Sequence, residues 1–401
     1  MTHETAPIAL EGLRPFDHHP RTRLVFGAGS IERAGELARE LGARKVLLVT
    51  DVGIVKAGHA ERVRRNLEAA ELRVTLFSGV HENPATKDVE ECVAAAKAAG
   101  IDTILGLGGG SSMDTAKGCN FLLTNGGRMQ DYRGVGKAAR PMLPLIAIPT
   151  TAGTGSECQS AALIVDEETH QKMACLDPKA AARIAILDPV LTLSQPQRVT
   201  ACTGIDAIAH AVETAVTNKR NPLSALYSRE AYKLCVTSFP EVLMNPNDLE
   251  ARGRMLLGAA LAGLAIENSM LGAAHAAANP LTAHFGIIHG EAVGIMLPHI
   301  GRFNSVDPAA QRAYDELASA SEPACSGHVH EHSLHSVMER FEALLDLARM
   351  PSSLSERDVK RSSIPMLAEE ASRQWTATFN PRLVTRADFA EMYEAAFGPR
   401  K

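Results

Sequence analysis

The chain has 401 residues, is 45% hydrophobic and 22% charged, and carries a formal net charge of −5. That mildly acidic balance argues against a nucleic-acid or anionic-membrane binder, and the apolar fraction is enough for a large core. The length points to two domains, and no window approaches the ~18 consecutive apolar residues of a membrane span.

The N-terminus has no basic stretch running into an apolar one, so no secretory leader is expected. The 7 cysteines (92, 119, 158, 175, 202, 235 and 325) are scattered, and no Cys-x-x-Cys occurs. This reads as reduced thiols in the cytoplasm, with neither a disulfide framework nor a thiolate zinc site.

In chain order, RLVFGAGS (23–30) predicts a strand entering a glycine turn, and IERAGELARELGA a helix stopped at Gly42. KVLLVTD (45–51) reads as a strand, HAERVRRNLEAAE (59–71) as a helix and LRVTLFSGV (72–80) as a strand. KDVEECVAAAKAAG (87–100) is helical, and DTILGLGGG (102–110) is a strand running into glycines. This alternation predicts a parallel sheet covered by helices, with ligands at the carboxyl ends of its strands. From about residue 199 strand-like runs nearly vanish and Ala/Leu-rich helical segments follow, with a break at SQPQ. The expected division is therefore 1–198, α/β, and 199–401, all-helical. No repeat of 20–50 residues is present. The histidine-rich SGHVHEHSLHS (326–336) is read as a solvated loop entering a helix, without a function.

The chemistry concentrates in two apolar segments. TGIDAIAHAVETAV (203–216) has helical periodicity and puts Asp206, His210 and Glu213 on one face. A buried carboxylate beside an imidazole needs a pair or a metal, and Glu213 is placed to hold a ring or the next turn. Taken alone, an Asp206–His210 hydrogen bond in a core explains the pattern about as well. GAAHAAANPLTAHFGIIHG (272–290) adds His275, His284 and His289. Two such faces supply Asp, His and two further His, a donor set suited to Fe(II) or Zn(II). Spacing leaves open whether His275 or His284 accompanies His289.

The ordered set GLGGGSSMDTAK (106–117), IPTTAGTGSE (148–157), TGIDAIAHAVE (203–213) and the pair His275/His289 resembles the iron-containing (group III) alcohol dehydrogenases. The likeness continues through LPHIGRFN (297–304), MPSSL (350–354) and FNPRLVT (379–385), and so covers nearly the whole chain. It implies a dehydroquinate synthase-like architecture: an α/β N-terminal dinucleotide-binding domain, an all-α C-terminal domain and an active site between them. It also implies metal ligands Asp206, His210, His275 and His289, with His284 a bystander or pocket residue and His299 structural. The implied reaction is reversible hydride transfer between a small alcohol and NAD, with Fe(II), or alternatively Zn(II), as Lewis acid.

On the cofactor side the resemblance assigns Gly109, Gly110 and Ser111 to the diphosphate turn, and Asp114 to the nicotinamide end. Thr150, Thr151 and Thr154, with Gln159, fall in a second loop around the dinucleotide, and Lys172 and Asn83 add contacts. Physically, glycines let a backbone approach a diphosphate, and free amides at a helix start favour anions. Asp51 ends a strand, where a carboxylate accepts from the ribose 2′-hydroxyl and repels a 2′-phosphate, which predicts NAD over NADP. The competing role of Asp51 is a helix N-cap.

Two departures stand out. Where many members carry a second histidine four residues after the first, this chain has Asn279, which does not titrate near neutrality. The proton path then runs through water, ribose hydroxyls or His284, so Asn279 and His284 are the candidate catalytic positions. Ile266 replaces an aromatic and implies a differently shaped pocket. The alternatives are glycerol dehydrogenase-, maleylacetate reductase- or dehydroquinate synthase-like enzymes on the same fold, or a catalytically silent NAD-binding homologue. At least a homodimer is expected, through RLVFG.

Overall fold

The computed structural model describes residues 15–169, 171–321 and 333–398. Most of the histidine-rich segment, 326–332, lies outside the described residues, as does the N-terminal stretch 1–14.

Among the described residues nine strands occupy the first half: β1 (Arg23–Phe26), β2 (Lys45–Val49), β3 (Arg73–Phe77), β4 (Thr103–Gly108), β5 (Gly134–Val135), β6 (Leu145–Pro149), β7 (Ala161–Val165), β8 (Lys172–Leu176) and β9 (Ile184–Leu187). The helices among them are α1 (Ala34–Glu40), α2 (Val52–Lys56), α3 (His59–Ala69), α4 (Thr86–Ala99) and α5 (Gly110–Asn125). Six strands form one sheet in the order β1-β9-β6-β4-β2-β3, and every pairing in it is parallel. Strands β5, β8 and β7 form a small second sheet in which β7 and β8 are antiparallel.

The sheet is buried on both faces because its strands are apolar on both sides. Along β2, Val46 and Leu48 join one core cluster, while Leu47 and Val49 join the other. Such two-sided burial is what a parallel sheet with helices on each face requires. Gly42 and Gly100 both adopt left-handed backbone just after α1 and α4, where the chain must turn back toward the next strand.

The second half is helical: α6 (Gln197–Val216), α7 (Pro222–Met244), α8 (Leu249–Ser269), α9 (Ala273–Phe285), α10 (His289–Asn304), α11 (Pro308–Ala320), α12 (Ser333–Leu347), α13 (Ile364–Ser372) and α14 (Arg386–Ala395). The change from strand to helix lies between Leu187 and Gln197, beside the expected division at residue 198. Among the described residues no single helix is long and apolar enough to cross a membrane; α8 and α9 qualify only as a pair bent by 107°. Helix α6 is enclosed: residues 204–216 are all buried.

One core cluster runs from this helical part into the sheet, taking in Ala185 and Leu187 of β9 and Ala152 and Cys158 of the loop after β6. The join is made by backbone against backbone. A Cβ on Gly263 of α8 would stand 2.3 Å from the Gly155 carbonyl oxygen; within the bundle, one on Gly290 of α10 would likewise stand 2.1 Å from that of Cys202 in α6. Side chains are excluded at both places, so the loop after β6 is seated directly on α8.

Candidate active site between the sheet and the helical bundle

Three elements bring the ionisable residues together. Helix α6 presents Asp206, His210 and Glu213, α9 presents His275 in its first turn, and α10 begins with His289. Asp206, His210 and His275 are buried, and each offers a donor atom within 4.8 Å of the others. The Nε2 atoms of His275, His210 and His289 stand 3.4, 3.5 and 3.9 Å from one oxygen, Asp206 Oδ1. The His210 and His275 rings stack at 4.7 Å, and His289 is tilted against His275 at 5.3 Å.

These spacings are long for hydrogen bonds. Donors bound about 2.1 Å from one ion in a tetrahedron stand about 3.4 Å apart. The donor chemistry and spacing therefore fit a divalent metal, with one carboxylate oxygen and imidazole nitrogens as ligands. The Asp206–His210 hydrogen bond that the sequence also allowed does not account for the other rings around the same oxygen.

Glu213 sets the orientation of His275. One carboxylate oxygen accepts from His275 Nδ1, and the other accepts from the Ala274 amide at 2.7 Å. The carboxylate thus caps the start of α9 and fixes a proton on Nδ1, which turns Nε2 toward Asp206. Asn380 supports the same turn, its Oδ1 lying 3.4 Å from the Ala273 amide.

The electrostatics follow from burial and from the crowding of charges. Burial pushes the Asp206 carboxyl up, but His210, His275 and His289 together hold it well below the usual carboxylate range. Burial lowers His210 despite Asp206, and takes His289 down to about 3, helped by His275 and Lys172. Burial also opposes protonation of His275, yet Glu213 and Asp206 outweigh it and raise this ring to about 9. His210 and His289 are therefore neutral near pH 7, the form in which an imidazole binds a metal.

A crevice at the carboxyl ends of the strands adjoins this cluster. Strand β4 ends at Gly108 with φ +143°, and a Cβ there would stand 2.4 Å from Ser112 Oγ. The first turn of α5 has no side-chain cap; the Ser112 and Met113 amides donate to the Gly109 carbonyl, which leaves those of Gly110 and Ser111 for an anion. Gly109 and Gly110 pack on Thr151 and Thr154, and a Cβ on Gly110 would lie 2.8 Å from Thr154 Cγ2. The Thr150 amide donates to the Gly108 carbonyl at 2.9 Å, and Gln159 Nε2 donates to the Thr154 carbonyl at 2.7 Å. Ser111 lies in the same first turn, its carbonyl accepting from Thr115 Oγ1. The bare turn, the uncapped helix and the buried, unpartnered Ser112 hydroxyl fit a dinucleotide diphosphate.

Asp51 caps α2, accepting from the Ile54 amide at 3.0 Å. The same carboxylate borders the glycine turn, with Oδ2 3.4 Å from the place of a Cβ on Gly108. Lys172 and Asn83 are joined, Nζ donating to Asn83 Oδ1 at 3.2 Å, and Asn83 holds the left-handed backbone that asparagine tolerates. Solvent reaches Lys172, yet the crevice walls desolvate its ammonium and lower its pKa, against the pull of Asp114, Asp206 and Glu82. Lys172 thus links the carboxylates of the two halves.

The remaining expected residues go elsewhere. His284 lies nine residues after His275, half a turn round the helix, is exposed, and bonds Glu370 at 2.8 Å. The structure does not bring it to the cluster. Asn279 lies on the His275 face and donates to Gln374 Oε1 at 3.1 Å. Ile266 is buried in α8.

Sequence reasoning left out Lys117 and Glu157. Lys117 is wholly buried and donates to the Ser156 carbonyl, Ser156 Oγ and the Ala161 carbonyl at 2.6–2.9 Å, while Ser156 Oγ donates to Asp114 at 3.0 Å. Its signal was a lysine one turn after Asp114, on the helix that the glycine turn opens. Burial pushes the Glu157 carboxyl up to about 7, against its own amide and the Lys117 charge. Nothing in IPTTAGTGSE shows that its last residue faces inward.

The arrangement defines a metal-dependent, NAD-linked oxidoreductase. Residues 20–189 match the model of the iron-containing alcohol dehydrogenases, and residues 200–397 match the model of that family's C-terminal part. The chain is 33% identical over 373 residues to the NAD-dependent methanol dehydrogenase of Bacillus methanolicus, covering 93% of this chain and 97% of that one. It is 34% identical over 379 residues to the choline dehydrogenase of Bacillus subtilis strain 168, covering 94% of each. A solved 1,3-propanediol oxidoreductase superposes with TM-score 0.92 at 30% identity, covering 96% of this chain and all of that one. The chain belongs to the iron-containing alcohol dehydrogenase family.

Glu213→Gln is expected to lower Zn(II) affinity about 10- to 100-fold in equilibrium dialysis, because the charge on the His275 Nδ1 proton is lost. Glu157 gives a pH effect of definite sign. Its native pKa of about 7 lies above the ordinary 4.5, so between these values the folded form holds a proton that the unfolded form has released. Its contribution to stability is fully present below pH ~4.5 and is lost as pH rises to ~7. Glu157→Gln is expected to flatten the fall of the thermal midpoint across that window; an unchanged slope would refute the assignment.

Proposed function

We propose that the protein interconverts small alcohols and aldehydes with NAD(H), using Fe(II), or alternatively Zn(II), held by Asp206, His210, His275 and His289. The observation that carries this reading is the convergence of three imidazole nitrogens on Asp206 Oδ1, beside the crevice of the glycine turn. When bound, the metal polarises the alcohol or aldehyde oxygen, and NAD(H) exchanges hydride with the carbon that bears it.

The chain's own residues position and insulate. Glu213 keeps the His275 proton on Nδ1. The uncapped start of α5, with Gly109, Gly110 and Ser111, receives the diphosphate, and Thr150, Thr151, Thr154 and Gln159 wall the dinucleotide. Lys117 and Ser156 hold Asp114 toward the nicotinamide end, and Lys172 with Asn83 reaches the cofactor hydroxyls. Asp51 accepts from a ribose 2′-hydroxyl and disfavours a 2′-phosphate, which supports NAD over NADP. Asn279 holds no titratable proton, and His284 is occupied with Glu370, so neither side chain carries the released proton away. The buried apolar face of α6 around Asp206 keeps bulk water out.

Two further parts of the reading rest on the sheet edge and the thiols. Strand β1 is an edge strand with Phe26 exposed, which supports pairing with a second copy. The described cysteines are free and buried, which supports a reducing compartment, the cytoplasm.

The testing experiment is oxidation of NADH by small aldehydes, after removal of metal and reloading with Fe(II) or Zn(II) separately. Activity is expected to return with metal, to be higher with NADH than NADPH, and to fall at least about 100-fold in Asp206→Ala. Turnover by thoroughly metal-free protein would overturn the reading. Light scattering in solution is expected to give at least twice the mass of one chain; a monomer mass would remove the dimer.

A further inference from the structure

Arg252, in the first turn of α8, is a buried charge without a counter-charge. It is 3% exposed, and among the described residues no carboxylate pairs with it. Asp248, just before the helix, has its carboxylate on the Ala251 amide. The guanidinium Nε donates to the Pro246 carbonyl, and Nη1 donates to the Thr192 carbonyl at 2.7 Å. Burial lowers the pKa with no neighbouring charge to oppose it, yet a guanidinium keeps its proton in a protein, so the charge stays. Two carbonyls take two of its five N–H groups, and the other three, both on Nη2 among them, are left.

A small cavity meets this side chain. Its volume is about 10 Å³, room for one atom-sized occupant, and Arg252, Thr200, Gln195, Thr203 and Ala152 line it. Thr200 is 7% exposed, and its hydroxyl has no protein partner. The Pro196 carbonyl, one turn back, accepts from the Thr200 amide instead. Gln195 Nε2 donates one N–H to Thr203 Oγ1 at 3.0 Å and keeps a second, while the Thr203 hydroxyl donates to the Thr200 carbonyl. The lining therefore offers a fixed positive charge and spare N–H and O–H donors, around a space too small for a carboxylate or a sulfate. Water would fill that space but leave the charge uncompensated, and a buried charge needs a partner.

We propose that this cavity binds a single monatomic anion of the halide class, chloride in most solutions, held by Arg252, the Thr200 hydroxyl and Gln195 Nε2. The place of the cavity gives the anion a role. Ala152 belongs to the loop after β6, beside the Thr151 that packs on the glycine turn. Gln195 lies on the connection from β9 to α6, and Thr200 and Thr203 lie on α6, which carries Asp206 one turn further on. Arg252 belongs to α8. The anion thus ties the sheet to the bundle where the chain passes from one to the other. It uses no residue of the histidine cluster, and its test does not depend on turnover.

The test has two parts. Crystals of the full chain soaked in sodium bromide are expected to show one anomalous peak in the cavity, against the Arg252 guanidinium and Thr200 Oγ1. An ordered water there, with no anomalous density, overturns the proposal. In solution, the thermal midpoint is compared in sodium chloride and in sodium gluconate at equal ionic strength, gluconate being too large to enter. The midpoint is expected to be higher in chloride, and to rise by roughly 1–2 °C for each tenfold increase once the site is filling. Thr200→Val keeps the side chain's shape and removes the hydroxyl, and is expected to shift this dependence to about tenfold higher chloride. Arg252→Met is expected to abolish both the peak and the dependence; should it fail to fold, Thr200→Val carries the test. Equal midpoints in the two salts overturn the proposal. So does a chloride effect that Thr200→Val leaves unchanged, because the anion then acts elsewhere on the protein.

Discussion

A buried carboxylate oxygen, Asp206 Oδ1, with three imidazoles facing it, sets the terms for the rest of this molecule. Such a group is unfavourable in an apolar helix unless something compensates it. Here the compensation comes from three separate elements, so the bundle must bring α6, α9 and α10 to one point. The close approaches follow from that demand. Gly290, next to His289, has no room for a Cβ against the Cys202 carbonyl, and Gly272, just before α9, would bring one to 3.0 Å from Glu213. Small residues stand where helices must touch, and the residues of the cluster stand one or a few positions away.

Glu213 shows how one side chain serves fold and chemistry together. Its carboxylate satisfies an amide at the start of α9, where helix termini leave donors unpaired. It also accepts a hydrogen bond from Nδ1 of His275, the residue that follows that amide. Folding the helix and turning His275 Nε2 toward Asp206 are therefore one act. The cofactor side has a parallel in Lys117, a wholly buried ammonium satisfied by two carbonyls and a hydroxyl. Ser156, which it holds, also bonds Asp114, so the loop after β6 and the start of α5 are positioned by one cation.

The sequence made the large divisions legible because they rest on periodicity. Alternating short apolar runs announced the parallel sheet, and their disappearance near residue 199 announced the bundle. Helical spacing placed Asp206, His210 and Glu213 on one face, as observed. Periodicity could not decide which imidazole on 272–290 shares the cluster, since that depends on where α9 ends and α10 begins. The structure settles the position of His284 by simple rotation: nine residues from His275 it points to the far side, where Glu370 meets it. Lys117 and Glu157 were illegible for a different reason. Each is polar within or beside an apolar run, and only tertiary packing shows that it faces inward.

The join between the halves explains why the glycine-turn crevice and the histidine cluster lie side by side. The loop after β6 carries the threonines that pack on the glycine turn, and the same loop meets α8 through Gly155 and Gly263. Glu267 of α8 accepts from the Ser160 amide and hydroxyl and from Arg21, anchoring the far end of that loop. A loop held at both ends by the bundle cannot drift from it with the sheet. The distance between the glycine-turn crevice and the histidine cluster is then fixed by backbone contact, and Lys172, which feels both Asp114 and Asp206, spans it electrostatically. Positioning of this kind is what hydride transfer needs from a protein, since the reacting carbon atoms must be held close and in line before the chemistry begins.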